Sequence, residues 1–394
     1  MKSHRTLIDH ALLKLERYLE TTGWRGYDPF DALNSPIVRT LSFNQMWLRV
    51  AWTQLLRRSP INLRPILFTA KGTNPKGIGL FLAATVKRFQ ETGEERFHER
   101  ALELIAMLDG LRVEGYAGPC WGYNFDWQNT KFLFKKGTPT LVNTAFIVDA
   151  LLDAHAVWGE SRWLDTARKA CDFVMTDIHR TGTPDGLCFS YTPQDESMVY
   201  NASILGGRLL ARVGHLTGER ELLDLAAETA RFLVSRQRPD GAWAYGEWSM
   251  QQHVDSYHTG FNLEALMDIH RFMPELDLGP AIQKGLDFYI HHLFLADGFP
   301  KFLSDQVYPV DIHNISALVP LVKGMAYLDT MDAMERISNW FIRHMQGKDG
   351  HFYFRKGRGW TNKTAFIRWG QAWSYHALTT YKQHLIKTTM GTTA

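Results

Sequence analysis

The sequence predicts an all-α fold, a single (α/α)6-type toroid of helical hairpins around a central cavity. A short Asp-Gly-aromatic pattern recurs along the chain. Amphipathic helical segments alternate with segments that are apolar on almost every side, and no Gly/Ser- or Pro-rich linker divides the 394 residues.

The recurring pattern is Asp185-Gly186 before Phe189 and Tyr191, Asp240-Gly241 before Trp243 and Tyr245, Asp297-Gly298 before Phe299, and Asp349-Gly350 before Phe352 and Tyr353. Gly118 to Tyr123, with Trp121, is a degenerate fifth copy. Copies lie roughly 50 to 70 residues apart, room for two helices and their connections. Ser161 to Thr176 has Trp163, Leu164, Ala167, Cys171, Val174 and Met175 on one face and Asp165, Arg168, Lys169 and Asp172 on the other. Glu219 to Gln237 repeats that arrangement, and both read as outer helices. Segments 74–89, 140–157, 198–213, 256–269, 310–327 and 364–381 carry little charge and read as inner helices, buried all round. One toroid domain is expected over 43–394, preceded in 1–42 by an N-terminal helix and a capping loop. Gly26 to Asp31 is placed to close one end of the cavity.

Composition bounds the partners. A net charge of +3 with no basic cluster gives no footing for nucleic-acid binding. The first 20 residues lack the apolar core of a secretory signal, so a cytoplasmic location is expected. No apolar run approaches the roughly 20 residues of a membrane span. Cys120, Cys171 and Cys188 are scattered, which suggests neither a disulfide framework nor a zinc site. No cofactor or metal is expected. The 13 Trp, 14 Tyr and 23 Phe exceed what core filling needs and suit the flat faces of sugars, which makes an oligosaccharide or polysaccharide the expected partner.

In a ring, the connections into inner helices gather at one mouth, and that geometry selects the candidates. Trp121, Tyr123, Asn124, Asp126 and Trp127 lie in one such loop and suit stacking on a sugar plus hydrogen bonding; an aromatic plug is the alternative. His253, Asp255, Tyr257 and His258 form the densest set of proton-transfer groups, although Asp255 is also a natural helix N-cap. Asp195, Asp311 and His313 occupy equivalent junctions, with Asn201, Asn262 and Trp243 as further binding candidates. Arg368, Gln371 and Tyr375 share one face of a helix. A buried Arg368 requires an anion: either a ligand carboxylate or an internal partner among Asp126, Asp255 and Asp311.

Gln237 to Trp243 is similar to a squalene-cyclase-type repeat, and Phe366 to Trp373 to the final inner helix of repeat proteins that accompany bacterial surface-polysaccharide synthesis. Over roughly residues 43 to 385 the chain resembles the six-hairpin toroid superfamily of glucuronyl hydrolases, N-acylglucosamine epimerases and toroid polysaccharide lyases. The acidic motif of triterpene cyclases and the zinc set of prenyltransferases are missing, which excludes terpene chemistry. The resemblance implies an enzyme acting on an acidic, uronate-containing glycan by hydrolysis, elimination or epimerisation, in bacterial surface-polysaccharide metabolism. A hydrolase would set two of Asp126, Asp195, Asp255 and Asp311 across the bond. A lyase or epimerase would use Tyr257 or His258 as base beside Arg368. The alternative is a non-catalytic glycan-binding or scaffolding protein.

Overall fold

A computed structural model describes residues 2–129 and 132–391. The chain begins with α1 (Lys2–Thr22), followed by a segment carrying α2 (Pro36–Leu41) and α3 (Met46–Arg58). Five hairpins follow, each an inner helix and then an outer one: α4 (Pro75–Thr92) with α5 (Glu95–Asp109), α6 (Leu141–Trp158) with α7 (Ser161–Thr176), α8 (Tyr200–Thr217) with α9 (Arg220–Ser235), α10 (Ser256–Phe272) with α11 (Gly279–Leu293), and α12 (Leu318–Gly324) with α13 (Met331–Met345). The last inner helix is α14 (Trp373–Gly391). The inner helices pack in the cycle α4, α6, α8, α10, α12, α14 and back to α4, so the ring is closed. The helix α6 is 18 residues long and apolar enough by composition to cross a membrane; here it is an inner helix, packed against α4, α7 and α8. Short antiparallel pairs ornament the loops: β1 (Trp127–Gln128) with β2 (Leu133–Phe134), β3 (Arg180–Thr183) with β4 (Gly186–Phe189), and β5 (Val310–Asp311) with β6 (Arg355–Gly357), which also pairs with β7 (Trp360–Asn362).

The Asp-Gly repeat is the device that spaces the outer ring. Each of its glycines lies against the backbone of the next outer helix. A Cβ at Gly118 would sit 1.9 Å from Lys169 O on α7, at Gly186 2.2 Å from Glu228 O on α9, and at Gly241 2.4 Å from Lys284 O on α11. Gly298 meets Arg336 on α13 at 2.5 Å, and Gly350 meets Lys14 O at 2.1 Å. Lys14 belongs to α1, so the N-terminal helix takes the sixth outer position, between α13 and the start of the next hairpin, and packs on α14. The aromatics of the repeat pack into this joint. Trp121 and Trp243 are fully buried, and their indole N–H groups donate to the carbonyls of Leu108 and Leu233 at the ends of α5 and α9.

A second repeat closes the opposite end of each early hairpin. Gly93, Gly159 and Gly218 adopt left-handed φ at the C-caps of α4, α6 and α8, each followed by a glutamate that opens the next turn. Near that end the ring is filled by ions. Arg208 bonds Glu264 at 2.9 Å, Arg212 bonds Asp153 at 2.7 Å, and Lys323 bridges Asp268 at 2.6 Å and Glu264 at 3.0 Å, all around a cavity of about 150 Å³.

Segment 23–73 lies over the mouth. Arg368 donates to both Asp28 carboxylate oxygens, at 2.7 and 2.8 Å, with each side chain 3% exposed. Arg64 reaches Asp31 at 2.6 Å and the carbonyls of Asp28 and Pro29. The three cysteines are buried and free.

Three variants test this architecture. Gly350→Ala forces a Cβ into α1 at φ +99 and should cost at least about 2 kcal/mol in denaturant unfolding. Gly279→Ala, with nothing within 4 Å, should be nearly neutral. Asp28→Ala leaves Arg368 buried without a partner and should cost about 3–5 kcal/mol, with faster proteolysis near residues 26–31.

Candidate functional site

The six inner helices direct their N-termini to one mouth, and the site there is built from the first turns and the loops that enter them. Asp255 is the N-cap of α10: one carboxylate oxygen accepts the His258 backbone N–H at 2.8 Å, the other the His258 Nδ1 proton at 2.7 Å. The cap therefore also orients an imidazole, since a carboxylate accepts the Nδ1 proton and leaves Nε2 as the reactive nitrogen. His313 opens the six-residue 3-10 turn before α12; its Nδ1 faces the carbonyl of Trp369 at 3.1 Å. A carbonyl can only accept, so Nδ1 carries the proton and Nε2 is again the free nitrogen.

Tyr257 is in ring contact with both imidazoles, its ring 4.4 Å from that of His258 and 4.7 Å from that of His313. Burial pushes the Tyr257 phenol well above its ordinary value, helped by Asp255 and Asp311. Burial pushes His313 well below 6.5, reinforced by the charges of Lys76 and Arg368. His313 is thus a neutral base at neutral pH. His253 stacks on Tyr245 and is also lowered, chiefly by burial.

Beside this cluster opens a cavity of about 240 Å³ walled by Trp127, Tyr191, Tyr245 and Trp248, with Asp195 and His253 at its polar edge. Tyr123 and Tyr191 share a hydroxyl hydrogen bond of 2.8 Å at the boundary between cavity and axis. Aromatic walls with a few polar groups are the wall chemistry that suits a sugar ring. His253, Asp255 and His258 place ligand atoms within 4.8 Å of one another, a set sized for a divalent ion, but the Asp255 oxygen is spent on the His258 proton.

Several expected residues have other employment. Asp311 accepts the His313 N–H, the Trp369 indole N–H at 2.7 Å and Arg355 at 2.7 Å, so its carboxylate is saturated. Asp195 is closed on Thr192 and Ser197. Asp126 accepts the Lys136 N–H at 2.7 Å. Asn124 ties the covering segment to the first hairpin through Asn34 and Asn74. Asn201 and Asn262 are buried in α8 and α10, each with an unpartnered side-chain oxygen. Trp121 and Trp243 are core residues, as above.

Arg368, Gln371 and Tyr375 part company because Ile367–Ala372 is a π-turn, whose wider winding breaks the expected i, i+3, i+7 alignment. Arg368 is held by Asp28, and not by Asp126, Asp255 or Asp311. Gln371 bonds the Phe352 backbone, and Tyr375 bonds Glu16 of α1 at 3.0 Å.

The structure also adds residues. Tyr191 and Tyr245 belong to the aromatic repeat yet face the cavity, and the Trp369 ring lies 4.1 Å from that of His313, tilted by 31°. Lys76, in the first turn of α4, lies at the middle of the ring; a lone lysine opening an apolar helix was the available signal.

No protein-family model matches the sequence, and no curated protein is detectably similar to it. Solved structures match in fold. An unsaturated glucuronyl hydrolase specific for heparin superposes with a TM-score of 0.64 over 98% of this chain and 98% of that one, at 12% identity. The unsaturated glucuronyl hydrolase of Bacillus sp. GL1, responsible for the degradation of glycosaminoglycan, gives 0.63 over 95% of this chain and 96% of its own, at 14% identity. The cellobiose 2-epimerase of Bacillus thermoamylovorans gives 0.63 over 80% of this chain and 88% of its own, at 12% identity. What these structures share with the chain is the six-hairpin alpha/alpha-toroid fold that its repeats predict.

Proposed function

We propose that this protein is a carbohydrate-active enzyme that moves a proton at a sugar carbon next to a carbonyl or carboxylate. Epimerisation or isomerisation is the favoured outcome, and elimination beside a uronate is the variant that shares its first step. The observation that carries the reading is the pair of oriented imidazoles, His258 and His313, that both contact the ring of Tyr257. In a two-base inversion one neutral imidazole takes the proton from one face of a carbon while the other, entering as the imidazolium, delivers a proton to the opposite face. Each presents Nε2 because its Nδ1 is fixed by Asp255 or by the Trp369 carbonyl. Tyr257, held protonated, is the natural donor to the developing oxyanion.

Hydrolysis fits less well. It requires two free carboxylic groups across the bond, whereas Asp311 and Asp195 are saturated, both oxygens of Asp255 hold His258, and Asp126 accepts the Lys136 N–H. The aromatic cavity supports a sugar ligand, and the epimerases and glucuronyl hydrolases that share the fold support the substrate class. A place in bacterial surface-polysaccharide metabolism and a cytoplasmic location belong to this proposal.

The test is proton NMR of aldoses, cellobiose and uronate oligosaccharides incubated with the protein in heavy water, with ultraviolet absorbance followed for unsaturated uronates. Deuterium should enter at the carbon next to the carbonyl. His258→Asn and His313→Asn should each slow it by about 10²-fold or more. Release of new reducing ends with no deuterium at any sugar carbon would sink the proposal.

Its pH dependence has a sign. Since the His313 pKa lies below 6.5, the base is active across neutral pH and kcat/KM should fall only as pH drops through that lowered value. Folding stability follows the same group. Between 6.5 and the folded pKa the unfolded chain binds the extra proton, so Tm should decline on acidification there, less steeply in His313→Asn.

A further inference from the structure

Lys76 is 3% exposed, and its Nζ lies over three rings: Phe146 of α6 at 4.2 Å, Phe261 of α10 at 5.1 Å and Trp373 of α14 at 5.3 Å. Rings from three different inner helices surround the amine, which sets it close to the axis. It makes no ion pair among the described residues. The acids nearest in its field are already committed, Asp28 to Arg368 and Glu264 to Arg208 and Lys323. Aromatic faces favour an ammonium, but by far less than the cost of burying it alone. A second cation repeats the imbalance at the mouth. Arg57 of α3 lies over Phe30 at 4.9 Å with its Nε buried and unpartnered, while the nearby Asp311 is taken by Arg355.

Packing does not explain a lysine here. Methionine would fill the same space among the three rings without the charge. Lys76 and His313 share Phe261 and Trp373 as neighbours, so the amine sits beside one of the two oriented imidazoles.

We propose that Lys76 is the subsite for an anionic group on the sugar, a carboxylate or a phosphate, received on the ring axis beside His313. This rests on the reading of the mouth as a sugar site and names the substrate class: sugars that carry a negative charge. Arg368 cannot take that part, because both oxygens of Asp28 already occupy its fork. Burial, then the guanidiniums of Arg368 and Arg208, hold the Lys76 pKa well down, with Asp28 and Glu264 opposing. An arriving anion reverses that balance, so binding draws a proton onto Lys76 and tightens as pH falls. Recharging the amine in turn favours neutral His313.

Calorimetry with D-glucuronate, glucose 6-phosphate, D-glucose and inorganic phosphate on wild type and Lys76→Met tests this. In wild type the anionic sugars should bind at least about tenfold more tightly than glucose, with proton uptake seen as a dependence of heat on buffer ionisation. The stronger of the two tells carboxylate from phosphate. Lys76→Met should lose the preference and the proton uptake, yet melt at a higher temperature than wild type when free of ligand. Retention of the preference in Lys76→Met overturns the proposal, as does binding of glucose by wild type as tight as that of both glucuronate and glucose 6-phosphate, which leaves the sugar site standing. Binding of phosphate through Lys76 with no sugar bound upholds the anion subsite and sinks the sugar reading. No binding of any probe overturns both.

Discussion

Everything at the mouth depends on closing the ring, and closure depends on joining the two ends of the chain. The inner cycle completes where α14 meets α4, and the outer cycle completes only because α1 returns to the gap beside α13. Polar contacts secure that return. Arg88 bonds Glu16 at 2.9 Å, Lys382 bonds Asp9 at 2.6 Å, and the Gln346 amide donates to the Ala11 carbonyl at 2.8 Å. The axis exists as a place only when all six hairpins are present, so Lys76, His258, His313 and Arg368, from four different parts of the chain, become neighbours together.

Desolvation then sets the chemistry. The same burial that lifts the phenol of Tyr257 depresses His313 and Lys76, giving an acid, a base and a latent cation within one water-poor space. The covering segment contributes through Asp28 and Asp31, which neutralise Arg368 and Arg64. Its salt bridges are structural, whereas Lys76 and Arg57 make no ion pair among the described residues. At the opposite end the ring also holds charges, but Arg208, Arg212 and Lys323 are matched there by Asp149, Asp153, Glu264 and Asp268. That network plugs the ring.

The repeat was legible because it is made of residues whose constraints are local. A glycine that must lie against a helix backbone, or must take φ near +96 as at Gly241, leaves little room for another residue, so a glycine recurs at each joint. The aromatics beside those glycines misled in part. Trp121 and Trp243 pack the joint between outer helices, while Tyr191 and Tyr245, from the same repeats, line the cavity. Local sequence does not distinguish the two sets, because which face a loop side chain takes is decided by where the next outer helix lies.

The sequence by itself determined the fold class, the count of hairpins, the all-round burial of the inner helices and the gathering of His253, Asp255, Tyr257 and His258 at one helix start, since periodicity and capping act over a few residues. Only the tertiary structure decided the charges. Whether Asp311 is free or saturated, whether Arg368 awaits a ligand or is held by Asp28, and whether Lys76 has a partner depend on residues up to 340 positions apart in the chain. Electrostatic pairing is a property of distance in space and of burial, and neither is written in the spacing of residues along a chain.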